Sequence, residues 1–299
     1  MEIQRCPIPL EDALATELSA LWVEVFDPSY SSLPAEFSGA EEAFNRDLVF
    51  VGREGGRLAG SVHLTISRKT PSLGGLGEVA THRDFRGQGV AWTLCTAALE
   101  EFESLGGRAL FLGTSNPAAE RVYARLGFHR LPNSNIFARF AGGGTADEFY
   151  AEYFAPGPSG EVSVGSPAER IDMIPLIACP HPAFVLDVNV GLTSTQYVLQ
   201  PYCMGLYPRY EKLALGGGNF FALRNGQGRL VGLATAAIDE RVCRLDGFTH
   251  PAFEAGLPVL LKTARDWATR QSVESVIASV SGDDPVKRRA FAALDLKID

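Results

Sequence analysis

Between Gly77 and Ala91 the chain carries a compact set of residues able to hold an anion. Gly87 and Gly89 form a tight turn after a short strand and open a helical pattern that continues from Trp92 to Leu105. Glycines there let the backbone turn sharply with no Cβ in the way. The amides of such a turn converge at a helix start, where unpaired N–H groups and the helix dipole both favour negative charge. Arg86 adds a full positive charge. The ligand expected from these residues is a phosphate or pyrophosphate held mainly by main chain. Two familiar phosphate turns do not fit. A P-loop needs Gly-Lys-Ser/Thr where Val90-Ala91 stand, and a dinucleotide turn needs a glycine where Trp92 stands. What remains is Arg86-x-x-Gly89-x-Ala91.

A second stretch, Phe111 to Phe128, reads as strand, Asn116-Pro117 turn, helix and a Gly127 stop. Asn116 ends the strand, Ala119 follows three residues on, Tyr123 seven on, and Gly127-Phe128 closes the helix. Together, in this order and one helix apart, the two stretches resemble the cofactor-binding elements of the GNAT acetyltransferase superfamily. The resemblance covers roughly residues 1 to 140. It implies an α/β fold with a central mixed sheet flanked by helices, and acetyl-CoA as co-substrate. It assigns the pyrophosphate to Arg86, Gly87, Gln88, Gly89, Val90 and Ala91, and pantetheine to Asn116 and Ala119. The Tyr123 hydroxyl is implied beside the thioester sulfur, and a strand amide among Val79, Ala80 and Thr81 at the carbonyl oxygen. Without the family, Tyr123 reads as core filler.

Transfer from a thioester to an amine needs the two held together, a donor for the carbonyl oxygen, a proton or hydrogen bond for the departing thiolate, and a route for the ammonium proton. Tyr123 is the expected acid. Glu78, just upstream of the turn, is the expected base, with a structural strand carboxylate as the alternative. His82 is a second candidate base, so near the turn that a structural role is favoured. Cys95, inside the helix after the turn, is expected to pack rather than attack. The expected function is acetyl-CoA-dependent N-acetyl transfer to a small cationic metabolite. An aminoacyl-tRNA-dependent transferase and a non-catalytic acyl-CoA-binding module are the alternatives. The intact turn and acidic charge oppose the first, and retention of Asn116 with Tyr123 opposes the second.

The elements that must position these residues follow a simple order. Residues 2–6 read as a strand, and Pro9 to Phe26 as an amphipathic helix with Ala13, Leu18, Leu21, Trp22 and Phe26 at helical spacing. Phe37 to Phe44 reads as a second helix. Leu48–Gly52 and Leu58–Ser67 form a hairpin across Arg53-Glu54-Gly55-Gly56-Arg57, and Asn135–Phe140 is a last strand. The first fifty residues hold ten acids against Arg5 and Arg46, a net −8 equal to that of the whole chain. In families of this kind the first two helices border the acceptor pocket, so an acidic rim there suits a protonated amine. An acidic solvated face is the alternative.

Length and composition bound the rest. At 299 residues two domains are expected. An apolar share of 46% with 21% charged residues fits a soluble globular chain, and the net charge of −8 disfavours nucleic acid or an anionic membrane. No apolar run reaches spanning length, and Met1-Glu2-Ile3-Gln4 does not read as a signal peptide. Cys6, Cys95, Cys179, Cys203 and Cys243 show no paired spacing, which suggests reduced thiols, a cytoplasmic protein and no metal site.

The second half repeats the first. Leu48–Ser61 aligns with Phe220–Leu233 at an offset of 220 − 48 = 172, and Thr81-His82 with Thr249-His250 at 249 − 81 = 168. The chain therefore reads as two tandem GNAT-like domains: 1–144 catalytic, 145–160 a linker marked by Pro156-Gly157-Pro158, and 161–299 a degenerate copy. In that copy Glu254 replaces Arg86, Leu257 replaces Gly89, and Pro258 removes an amide. Asp284 replaces Asn116, Phe291 replaces Tyr123, Asp295-Leu296 replaces Gly127-Phe128, and Asp299 stands where final strands would still be due. The expected roles of the copy are scaffold, acceptor-site wall or homodimer surface.

Overall fold

In a computed structural model the chain divides into two compact units, residues 1–130 with 137–144, and residues 131–136 with 145–299. The structure describes all residues except Ser32, 200–203, Asp283, Asp295 and 297–299; Cys203 and the Asp295 replacement thus lie outside the described residues.

The first unit is built on a seven-stranded sheet. Its strands are β1 (Glu2–Pro7), β2 (Asn45–Glu54), β3 (Arg57–Ser67), β4 (Leu73–Thr81), β5 (Ala109–Gly113), β6 (His129–Arg130) and β7 (Ile136–Phe140), in the order β1-β2-β3-β4-β5-β7-β6. Helix α1 (Asp12–Val25) follows β1, α2 (Val90–Ser104) follows β4, and α3 (Pro117–Arg125) follows β5. Strand β2 shows why two layers form. Leu48 and Phe50 join α2's Leu94, Ala98 and Phe102, while Val49 and Val51 join α1's Leu18, Leu21 and Trp22. A period of two sends alternate side chains to opposite faces, so both faces need cover. Gly55 and Gly56 close the β2–β3 hairpin at φ +55° and +81°, the paired positive dihedrals a two-residue turn demands.

The helix expected over Phe37–Phe44 does not form. Ala35–Ser38 makes one short 3-10 turn, ended by Gly39 at φ +83°, and β2 starts at Asn45. So short a segment cannot repay helix nucleation. Phe37 is instead held by tertiary contact, buried 4.8 Å from the Trp22 ring centroid.

Strands β4 and β5 run parallel but pair only where Leu73–Gly75 face Ala109–Phe111. Beyond that point β4 continues to Thr81 without β5 beside it. The separation opens the sheet at the end that carries the glycine turn.

The second unit contains α4 (Ala146–Tyr153), β8 (Ser159–Val164), α5 (Glu169–Ala178), β9 (Val185–Asp187), β10 (Leu192–Thr193), α6 (Tyr207–Leu215), β11 (Asn219–Asn225), β12 (Leu230–Asp239), β13 (Val242–Thr249), α7 (Leu257–Ala268), β14 (Ser275–Ala278) and α8 (Pro285–Ala292). Within the stretch 145–160, α4 is a regular helix closed by a Thr145/Glu148 capping box. The main sheet runs β8-β11-β12-β13-β14, antiparallel except for the parallel last pair. This is the order and direction of β1 to β5. A buried ion triad anchors it, with Arg224 donating to Asp172 at 2.6 Å and Glu169 at 2.9 Å. Among the described residues, no helix of the chain is long and apolar enough to cross a membrane.

Candidate active site

The turn after β4 takes the shape its glycines allow. Gly87 and Gly89 hold φ at +75° and +80°, and α2 starts directly at Val90. A Cβ built on either glycine meets nothing within 4 Å. Backbone conformation, not crowding, therefore demands glycine there, and the space over the turn is open. No side chain caps α2. Its first-turn amides have no helical acceptor and are left for a ligand.

A cleft of about 680 Å³ lies over this turn. Val79, Thr81, Arg86, Gly87, Gly89, Val90 and Ala91 line one side, and Asn116, Ala119 and Tyr123 of α3 the other. Three of the expected residues do not line it. Ala80 is fully buried in the core under α1. Gln88 turns to the surface and donates from Nε2 to the Asp84 carbonyl at 3.0 Å. Glu78 faces another cluster. The cleft also takes in Trp92 and Arg125, whose guanidinium lies 4.6 Å from the indole centroid. This second cation on the cleft was missed, because an arginine near a helix end carries no spacing signal.

Asn116 caps α3, its Oδ1 accepting from the Ala118 N–H at 2.9 Å. Tyr123 is 5% exposed, with its ring 6.0 Å from Phe128. Arg86 donates from Nε to the Thr81 carbonyl at 3.3 Å, which lays it along the cleft wall. These residues fit a CoA-like group: an open cradle over glycine amides, a cationic border, and an apolar slot ending at a buried tyrosine.

Glu78 sits at a bulge. Gly77 pairs with His63 and Ala80 with Ser61, so Glu78 and Val79 together oppose Val62. Glu78 takes φ +43°, unusual for a residue with a side chain. The extra residue lets Val79 line the cleft while Glu78 reaches a polar cluster. Its Oε2 accepts from His63 Nδ1 at 2.9 Å and its Oε1 from the Tyr30 hydroxyl at 2.9 Å. His63 Nε2 meets Asp47 Oδ1 at 2.8 Å, and Thr65 donates to the same oxygen at 2.7 Å. His63 is 0% exposed. Burial opposes its charge, but the hydrogen bonds and negative charges of Asp47 and Glu78 outweigh it and raise its pKa to about 10. Tyr30 is raised too, by burial first and then by Glu78. Asp47 and His63 were missed because ordinary strand alternation places them, and Tyr30 because it stands in the connection after α1; only the bulge joins them to Glu78.

The remaining candidates fall into structural roles. His82 caps the Arg83–Phe85 turn, its Nδ1 accepting from Asp84 N–H at 3.2 Å. Cys95 is fully buried, and burial pushes its thiol up to about 12. The acidic rim is thinner than its ten acids suggest. Glu41 and Asp47 are buried, and Glu17 is paired with Arg53 at 2.6 Å. Among the described residues, no group of three His, Cys, Asp or Glu side chains is placed to hold a metal ion.

Residues 13–128 match the family model described as Acetyltransferase (GNAT) family. They form a GNAT acetyltransferase domain. The domain is that of an acyltransferase. The chain is also similar to solved structures of this fold. An aminoglycoside 6′-acetyltransferase type Ii is 18% identical, with a TM-score of 0.37 over 47% of this chain and 97% of that one. The ribosomal-protein-S18-alanine N-acetyltransferase from Escherichia coli is 20% identical, with a TM-score of 0.35 over 46% and 94%. The GNAT family N-acetyltransferase YhbS from Escherichia coli, in complex with CoA, is 21% identical, with a TM-score of 0.36 over 47% and 82%. No curated protein matches the chain.

Proposed function

We propose that the GNAT domain transfers an acetyl group from acetyl-CoA to the primary amine of a small cationic metabolite, by direct attack with both substrates bound. The observation that carries this reading is the open glycine cradle with Asn116 and Tyr123 facing it across one cleft. The thioester supplies the activated acyl group. The Gly87–Ala91 amides and Arg86 hold the pyrophosphate, and the Asn116 amide nitrogen remains to donate to the pantetheine arm. A backbone N–H among Val79, Ala80 and Thr81, beside the bulge, donates to the carbonyl oxygen as charge builds there. Glu78 takes one proton from the ammonium, directly or through water, and frees the nitrogen lone pair. The C–N bond forms as the C–S bond breaks, Tyr123 gives the departing sulfur a proton or hydrogen bond, and the second nitrogen proton passes to the resulting phenolate or thiolate as the amide forms. No covalent link to the protein is required.

The intact cradle and the net charge of −8 favour an acyl-CoA donor over an aminoacyl-tRNA. The second unit is proposed as a degenerate copy without cofactor, a reading its matching strand order supports. Buried, unpaired Cys6, Cys95, Cys179 and Cys243 are compatible with a reducing cytoplasm. Calorimetry should find one CoA per chain, and free-thiol release across an amine panel should find a cationic acceptor. Two equal CoA sites per chain, or no thiol release with any amine, would overturn the reading.

A further inference from the structure

The Asp47–His63–Glu78 cluster is more than a fold contact. His63 has both ring nitrogens within 2.9 Å of a carboxylate oxygen, Asp47 on one side and Glu78 on the other. Neither oxygen can donate unless a carboxyl is protonated, so the ring is the natural donor at both ends. The ring must then be an imidazolium. With two carboxylates and one imidazolium, the buried cluster carries one net negative charge.

We infer that Asp47 and His63 are positioning residues that hold Glu78 as an ionised, fixed carboxylate, and that the Asp47–His63–Glu78 cluster with Tyr30 forms the subsite for the acceptor ammonium. This rests on the acyl-transfer reading above. Glu78 alone among the three reaches the surface, its side chain 13% exposed against 1% for His63 and 3% for Asp47. His63 occupies one Glu78 oxygen and Tyr30 the other, yet each carboxylate oxygen keeps a second lone pair. An ammonium brought to that carboxylate neutralises the excess charge. The ammonium gives one proton to Glu78 before the free amine attacks, and the cluster is then neutral: one carboxylate, one imidazolium, one carboxylic acid. A compact primary ammonium satisfies this balance, whereas an anionic acceptor adds to a charge already uncompensated.

The groups acting on the cluster come from several elements. Asp47 of β2 and Glu78 of β4 flank His63, and Phe37 lies over its ring at 4.6 Å. Glu36 and Asp27, from the connection between α1 and β2, add negative charge around Tyr30.

The two flanking residues act on Glu78 in series, Asp47 holding the His63 cation and His63 holding Glu78, and that provides the test. His63→Gln and Asp47→Asn should each raise KM for the amine by roughly 10-fold, the larger rise in His63→Gln, which touches Glu78 directly. KM for acetyl-CoA should not change in either variant. A merely structural role would raise both KM values together, and an unchanged KM for the amine in His63→Gln would overturn the inference. Nitrogen NMR of His63 in the unmodified protein guards against misfolded variants. At about pH 8, where an ordinary histidine is neutral, both ring nitrogens should carry protons. A ring with one proton overturns the inference without any activity being measured. If no amine is acetylated but the ring is doubly protonated, the acyl-transfer reading has failed and the charge assignment stands.

Discussion

One carboxylate position has opposite fates in the two units. Asp246 on β13 follows Glu78 on β4 by 246 − 78 = 168 residues, the offset that also relates Thr249 to Thr81. In the first unit the carboxylate is answered from within the sheet, by His63 of β3. In the second, the facing residue on β12 is Thr235, and the partner comes from a helix: Lys287 of α8 donates to Asp246 at 2.6 Å and to the Leu186 carbonyl at 2.8 Å. Ala119 stands in the corresponding place on α3 and lines the open cleft. The helix that borders the cleft in the first unit is therefore latched to the sheet in the second.

The same contrast runs along both walls. Thr249, Glu254, Leu257, Asp284, Val286 and Lys287 line a cavity of about 130 Å³. Each follows by 168 a residue lining the cleft of about 680 Å³. In the second unit the turn never enters the left-handed region: Gly256 has φ −84° and Leu257 −60°. A shared strand order thus does not make a cofactor site. Positive φ at two glycines, and Ala119 on the facing helix where the second unit carries Lys287, distinguish the two clefts.

The most damaging way to make the first cleft resemble the second is Gly89→Leu. The side chain would enter the open space over the turn, at a φ of +80° that non-glycine residues resist by roughly 1–2 kcal/mol. CoA binding should be lost in calorimetry while the folded domain persists. Binding within a few-fold of the unmodified protein would break the assignment of the turn.

The latch can be opened from the other side. Lys287→Met leaves Asp246 buried near Asp187 with no cation, and breaking such a pair typically costs about 3–5 kcal/mol. Denaturant unfolding should show that loss in the second unit. Adding Asp246→Leu should recover most of it, since an apolar pair of similar size is often no worse than a buried ion pair. Neither variant should bind a second CoA, because Glu254 stands where Arg86 does.

Tyr123→Phe imports Phe291, the corresponding residue of the second unit. If the hydroxyl assists the leaving sulfur, kcat should fall by roughly 10- to 10⁴-fold, the range for a positioned acid extended down for water substituting, with CoA affinity little changed. Unchanged kcat under conditions where chemistry limits would exclude that role. Loss of CoA affinity instead would make Tyr123 a cofactor-positioning residue.

What could be read from residues alone follows from locality. The glycine turn, the Asn116-Pro117 turn and the strand and helix that flank each are written in short windows, because each depends on neighbours a few residues apart. The polar cluster is not. Its members come from β2, β3, β4 and the connection after α1, and nothing about a glutamate announces φ +43°. Lys287 was legible only as a helix residue, since its partner lies 41 positions away. The expected Phe37–Phe44 helix failed for the same reason in reverse. Apolar spacing was present, but the ring of Phe37 serves Trp22 and His63 rather than a helix face.

The smallest effect distinguishes the units by pH. His63 has its folded pKa raised to about 10 from an ordinary value of about 6.5, so its charge stabilises the fold fully below about 6.5 and loses that contribution as pH rises toward 10. His181 is the reverse. It donates from Nε2 to the Leu176 carbonyl at 2.7 Å, and burial, with Lys287 opposing its charge, lowers it to about 4. Its contribution is present above about 6.5 and is lost as pH falls toward 4. Asp187, raised by burial and by Asp246, acts against this trend in the same unit, so each histidine must be compared with its own variant. Hydrogen exchange reports the two units separately. The protection lost in His63→Gln should shrink from pH 7 to pH 10. The stability of His181→Gln relative to the unmodified protein should improve from pH 7 to pH 4.5. If both differences change in the same direction, the opposite charge states assigned to the two buried histidines are wrong.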